Sequence, residues 1–210
     1  MLVASGKPFE YPHTDWGDAV QMIGPCPLDP RPDTAPDWLA SIDRPIVLVT
    51  TSSEKQGDAK LVQAAVAALV DEPMHVVATM PAGQPDNIAK TPNATVRRMI
   101  PHGVVLDRAV CAVTHGGMGT TQKALARGVP VCVVPFGRDQ FEVARRVEVA
   151  GCGTRLLAKR LSAERLRIKV REAMTMTDGA QRVAAGFAAT GGVSRGADLF
   201  EQRVLSPHVR

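Results

Sequence analysis

From Pro45 onward, short runs rich in Val and Ile alternate with longer stretches of helical periodicity, and this alternation narrows the possible folds more than any other feature. IVLVT (46–50), HVVAT (75–79), ATVRRMI (94–100), CAVT (111–114) and VCVVP (131–135) read as strands, with a short strand near 154–157. DAKLVQAAVAALVD (58–71), VVLDRAV (104–110) and segments 119–127, 140–150, 162–176, 178–190 and 194–204 read as helices. Strands that are continuously apolar have to be covered on both faces. The pattern therefore predicts an α/β fold, a Rossmann-like parallel sheet with helices on both faces.

The chain has 210 residues, enough for one domain with a full core, and its 45% hydrophobic content suits a soluble globular protein. No apolar run approaches the ~20 residues of a membrane span. The opening MLVASGKPFEYPHTDW lacks the apolar stretch and cleavage site of a secretory signal, so a cytoplasmic location is expected. Cys26, Cys111, Cys132 and Cys152 are far apart with no CxxC pair, which argues against disulfides and zinc. A net charge of +4 comes from scattered basic residues. No nucleic-acid partner is expected from that distribution; a phosphate-bearing small ligand or peripheral contact with an anionic membrane surface is compatible with it.

Before residue 46 the composition changes. Pro8, Pro12, Pro25, Pro27, Pro30, Pro32, Pro36 and Pro45 forbid long helices and central strands, so residues 1–45 read as an extended linker. Trp16, Met22, Ile23, Trp38 and Leu39 punctuate it, and it is expected to lie against a folded surface.

Ligands of open parallel sheets sit at the carboxyl ends of the strands. The sharpest feature there is Val113-Thr114-His115-Gly116-Gly117-Met118-Gly119-Thr120-Thr121, a strand entering a glycine turn that opens a helix. Glycines let backbone approach a ligand, and free N–H groups with the helix dipole favour an anion such as a diphosphate. His115 could donate a ring N–H to it; Thr120 and Thr121 could add donors or merely cap the helix. Taken alone, the turn is equally a tight βα connection. It is neither the dinucleotide fingerprint nor a lysine-bearing P-loop. After the next strand comes Phe136-Gly137-Arg138-Asp139-Gln140, where a carboxylate and an amide suit sugar hydroxyls, or else form an N-cap and its neighbour.

Together, HGGMGTTQKALARGVPVCVVPFGRDQFEVARRV resembles the signature of the UDP-glycosyltransferase superfamily, inverting two-domain GT-B enzymes. The resemblance implies the C-terminal, donor-binding half of such an enzyme. It assigns the donor diphosphate to His115, Gly116, Gly117, Gly119, Thr120 and Thr121, with Ser52 and Ser53 approaching from the other side. Met99, Ile100, Pro101 and His102 resemble the loop that touches base and ribose, and Asp139 and Gln140 the pair that binds the transferred sugar. Plant members carry a ribose-binding glutamate eight residues beyond the histidine; Lys123 stands there instead, and a cation cannot accept those bonds.

The implied activity is transfer of a hexose from a UDP- or TDP-sugar to an acceptor hydroxyl with inversion. No Asp-x-Asp sequence is present to hold a divalent metal, and neither metal nor cofactor is expected. Residues 1–45, including VQMIGP (20–25), resemble the end of an acceptor domain and the interdomain linker, with 46–210 the donor domain and its C-terminal helices. The general base belongs to an acceptor domain or subunit, and none is assigned here; His13, His75 and His208 have core, surface or docking roles. A nucleotide-sugar-binding module without activity of its own is the alternative, and a sugar-nucleotide epimerase a further one.

Overall fold

A computed structural model describes residues 1–28 and 36–205; Pro30, Pro32 and His208 lie outside the described residues. Six strands form one sheet: β3 (Ile46–Thr50), β4 (His75–Thr79), β5 (Ala94–Arg97), β6 (Ala109–Thr114), β7 (Val131–Val133) and β8 (Gly153–Arg155). Their order is β5-β4-β3-β6-β7-β8, and every neighbouring pair is parallel. The expected architecture is the one observed.

Alternate residues of β3, β4, β6 and β7 feed two cores. Ile46, Leu48, Val77, Ala112, Val131 and Val133 join one, against α3 (His102–Leu106), α4 (Met118–Leu125), α5 (Gln140–Val149) and α7 (Thr177–Ala188). Val47, Val49, Val76, Ala78, Cys111, Val113 and Cys132 join the other, against α2 (Ala59–Leu69) and α6 (Ala163–Met174). Burial on both faces is why these strands show no polar alternation. Helix α8 (Gly192–Phe200) and a π-helical turn (Glu201–Leu205) follow. Among the described residues no helix is long and apolar enough to cross a membrane.

Boundaries shift where sheet register overrides local periodicity. The segment expected to be helical over 104–110 divides into α3, which starts at His102, and the first residues of β6, because Ala109 is already paired beside Ile46. The strand expected over 94–100 ends at Arg97, where its pairing with Thr79 stops. Ser162 caps α6 by accepting from the Arg165 N–H at 3.2 Å.

The proline-rich segment is bound tightly to this frame. Its β1 (Leu2–Val3) and β2 (Gln21–Met22) form a small parallel pair, and α1 (Asp37–Ala40) a single turn. Phe9 is 1% exposed and meets the Phe187 ring edge-on, centroids 5.8 Å apart. Glu10, also buried, receives Arg146 of α5 at 2.6 Å, while Arg108 donates to the Leu39 and Ile42 carbonyls. Phe9, Leu39 and Ile42 belong to the same core as β3, so packing runs across the boundary expected at residue 45. Phe9 carries no periodic signal, which is why the sequence pattern did not flag it.

Phe9→Ala should cost about 3–5 kcal/mol, the range for deleting a buried phenylalanine. Leu28, 86% exposed, is the control, and its alanine variant should unfold in urea at the wild-type midpoint.

Candidate functional site

The chain adds β4 and β5 outward on one side of β3, then crosses back and adds β6, β7 and β8 on the other. The order thus reverses between β3 and β6, and the crevice at their carboxyl ends is where an open sheet of this kind takes a ligand. Both flanks carry residues singled out in the sequence: Ser52 and Ser53 follow β3, and His115 to Gly117 follow β6.

The β6–α4 turn is built by close packing. Gly116 has φ +94°, and a Cβ there would lie 3.0 Å from both Gln140 Cβ and Val133 Cγ1. A Cβ on Gly117 would lie 2.6 Å from His115 Nε2, so that glycine clears the space the ring occupies. Thr114 Oγ1 accepts from the Gly116 N–H at 3.0 Å and meets Thr121 Oγ1 at 3.2 Å. Thr121 is wholly buried and its hydroxyl takes part in this internal lock, where the resemblance implies a donor to the diphosphate. Thr120 is half-buried and Gly119 exposed at the opening of α4, whose N-terminus no side chain caps. Gln122 of the same helix donates to the Ala4 carbonyl at 2.8 Å, tying the site helix to the N-terminal segment.

Two buried polar atoms at this crevice have no hydrogen-bond partner, Thr50 Oγ1 at the end of β3 and His115 Nδ1. Orphaned polar atoms are uncommon inside proteins, and these two lie at the ends of the paired strands β3 and β6. Burial lowers the His115 pKa below its ordinary 6.5, opposed by Asp58, by the Thr50 backbone and by Asp139. The ring is therefore neutral near pH 7 and can present one N–H.

The loop after β7 is held from within. Gln140 Oε1 accepts from the Phe136 and Gly137 N–H groups at 2.8 and 3.1 Å, and Nε2 donates to Gln56 Oε1 at 2.9 Å. Gln140 is buried, and here its amide shapes the loop where the resemblance gives it to the sugar; Asp139 beside it is exposed. Arg138 pairs with Glu54 at 2.6 Å, and Asp58 accepts from the Ser52 N–H at 2.6 Å. The sequence does not single out Glu54, Gln56, Asp58 or Thr50 as site residues, since short polar loops carry no periodic mark; the strand end at Thr50 is the only cue.

On the far side of β3, His102 Nε2 meets Thr79 Oγ1 at 3.0 Å at the end of β4. Met99 is exposed and Ile100 buried in the core, so the Ile100 side chain is unavailable to a base; Pro101 precedes α3. Lys123 lies half-buried on α4. Away from the site, His13 stacks on Trp16, with centroids 3.8 Å apart, and His75 Nε2 meets Thr95 Oγ1 at 2.9 Å. Burial pushes the Cys111, Cys132 and Cys152 thiols up, Cys132 to about 11 and Cys152 to about 12, consistent with inert core residues. Among the described residues no three His, Cys, Asp or Glu side chains converge as metal ligands.

Comparison with known proteins gives a consistent picture. The family described as erythromycin biosynthesis protein CIII-like, C-terminal domain, matches residues 59–193. The chain is 37% identical over 174 residues to 4'-demethylrebeccamycin synthase of Lentzea aerocolonigenes, covering 81% of this chain and 41% of that protein. It is 29% identical over 205 residues to demethyllactenocin mycarosyltransferase of Streptomyces fradiae, covering 95% and 44%. The structure of CalG4, the calicheamicin glycosyltransferase, superposes with a TM-score of 0.82 at 26% identity, covering 96% of this chain and 52% of that one. The chain thus spans about half the length of each of these proteins.

The depressed pKa of His115 has a consequence for stability. Between the lowered native value and 6.5 the unfolded chain binds more protons, so the His115 contribution is intact above 6.5 and is lost as pH falls through that window. His75, also lowered by burial, acts in the same direction. Urea titrations at pH 7.5 and 5.5 should show wild-type stability falling towards acid, with a shallower fall for His115→Gln.

Proposed function

The chain belongs to the erythromycin biosynthesis protein CIII-like, C-terminal domain family, and on that premise we infer that it is the donor-binding half of a glycosyltransferase. The donor is a UDP- or TDP-sugar, and a hexose passes to an acceptor hydroxyl with inversion. One observation carries this reading above all: the candidate groups line up along a single sheet edge in the order of the parts of a nucleotide sugar. His102, at the start of α3, reaches the end of β4 through Thr79; Ser52 and Thr50 stand at β3, the His115 turn at β6 and Asp139 after β7. With neighbouring strands about 4.8 Å apart, three spacings give roughly 14 Å, a span that suits an elongated ligand with base at one end and sugar at the other.

In the proposed reaction the acceptor oxygen attacks the anomeric carbon as the bond to the diphosphate oxygen breaks. The electron pair of that bond leaves with the nucleoside diphosphate. Negative charge grows over the β6–α4 turn, where the α4 N-terminus and the His115 N–H are already fixed and stabilise it without rearranging. These donors take the part a metal plays elsewhere. The acceptor proton goes to a base outside this chain, on an acceptor domain or subunit. Asp139 serves the sugar, because a carboxylate placed against a diphosphate repels it. Residues of the N-terminal segment brace the edge through Gln122 and Arg146.

Binding of UDP, TDP and their sugars, followed by calorimetry and thermal shift, tests the reading. His115→Ala should weaken UDP or TDP by roughly tenfold to a hundredfold, the worth of one hydrogen bond to a charged group, while the fold is retained. Asp139→Ala should weaken the nucleotide sugar more than the bare nucleotide, whereas Gln140→Ala, by releasing the loop, should weaken both. Wild-type protein that binds neither nucleotide at millimolar concentration would overturn the proposal.

A further inference from the structure

We propose that Arg138 is a cationic arm of the diphosphate site, parked on Glu54 and transferred to the donor when it binds. The inference rests on the donor-site reading above and adds a residue and an exchange to it. Arg138 alone among the described non-glycine residues has a positive φ, +55°. Arginine has no local reason to adopt this left-handed conformation, which asparagine and glycine favour. The loop imposes it: the Gln140 amide pins the Phe136 and Gly137 N–H groups, and α5 starts at once after Asp139.

The result is a side chain aimed back across the sheet edge. Arg138 follows β7, Glu54 follows β3, and β6 runs between those two strands. The Arg138–Glu54 pair at 2.6 Å therefore bridges the carboxyl end of β6, where the His115 turn lies, and Gln140–Gln56 at 2.9 Å makes a second bridge beside it. Glu54 is two residues from Ser52, so the guanidinium reaches the flank of the crevice opposite its own loop.

This ion pair is poorly suited to a structural role. Its two side chains are 66% and 62% exposed, and pairs in that setting add little to stability. It is well suited to exchange. A guanidinium matches phosphate oxygens through paired N–H bonds, and a diphosphate offers more charge and more acceptors than one carboxylate. Glu54 meanwhile repels an anion approaching the β6–α4 turn. Incoming diphosphate takes Arg138, Glu54 turns to water, and the positive charge then sits where the leaving group develops its negative charge.

Calorimetry with UDP and TDP on wild type, Glu54→Gln, Arg138→Met and the double variant tests this, with thermal unfolding as a check that these exposed substitutions leave the fold intact. Arg138→Met should weaken both nucleotides about tenfold. Glu54→Gln should tighten them severalfold, and this gain should be clearly smaller in the Arg138→Met background, where Glu54 has no arm to hold and only its repulsion of the anion is relieved. Equal gains in both backgrounds would show simple repulsion by Glu54 and overturn the exchange. Affinity of Arg138→Met within twofold of wild type, or a loss seen only with the nucleotide sugar, would remove Arg138 from the diphosphate site while leaving the donor-site reading standing. Failure of the wild type to bind either nucleotide overturns that reading, and this one with it.

Discussion

Between the β6–α4 turn and the first turn of α5 there is no room for a side chain. Gly116 sits against Gln140 and Val133 with its backbone in the left-handed region, and that contact couples the β6–α4 turn to the start of α5. It sets where α4 begins and so where its uncapped N–H groups point. It also seats Gln140, whose amide then dictates the loop that carries Arg138 and Asp139. A substituent at Gly116 would thus disturb two loops and a helix start together. The cost would come from the left-handed backbone and from the collision at once.

The electrostatic character of the edge follows from this geometry. His115 is held neutral by burial, although Asp58 and Asp139 both favour its charged form. A neutral imidazole that donates one N–H, a helix N-terminus and an exposed guanidinium form a surface that gains from a bound anion.

The N-terminal segment bears on the same edge from behind. Phe9 fills the core against α7, Glu10 is buried against Arg146, and Gln122 of the site helix reaches Ala4. Breaking a buried carboxylate–guanidinium pair leaves an uncompensated charge, so this clasp holds α5, and with it Gln140, in register. Residues that read as a proline-rich connector are in packing terms part of the domain.

The sequence by itself determined the sheet, the placement of helices on both faces and the glycine turn at the end of a strand. Continuous Val/Ile runs and a glycine turn at a strand end are local signals with a single economical solution. Strand order was not legible, because nothing in β3 or β6 says that they are neighbours; the crevice between Thr50 and His115 exists only once Val47 to Thr50 pair with Cys111 to Thr114. Nor were the uses of individual side chains. Thr121 and Gln140 look like ligand donors in the chain and are spent on Thr114 and on the Phe136–Gly137 backbone in the fold. Phe9, Glu54 and Gln56 are unremarked in the chain and gain partners far away in sequence. The physical reason is the same in each case. Periodicity and turn chemistry act over a few residues and survive in the sequence, whereas the partner that satisfies a polar group is chosen by packing across the sheet and appears only when the chain is folded.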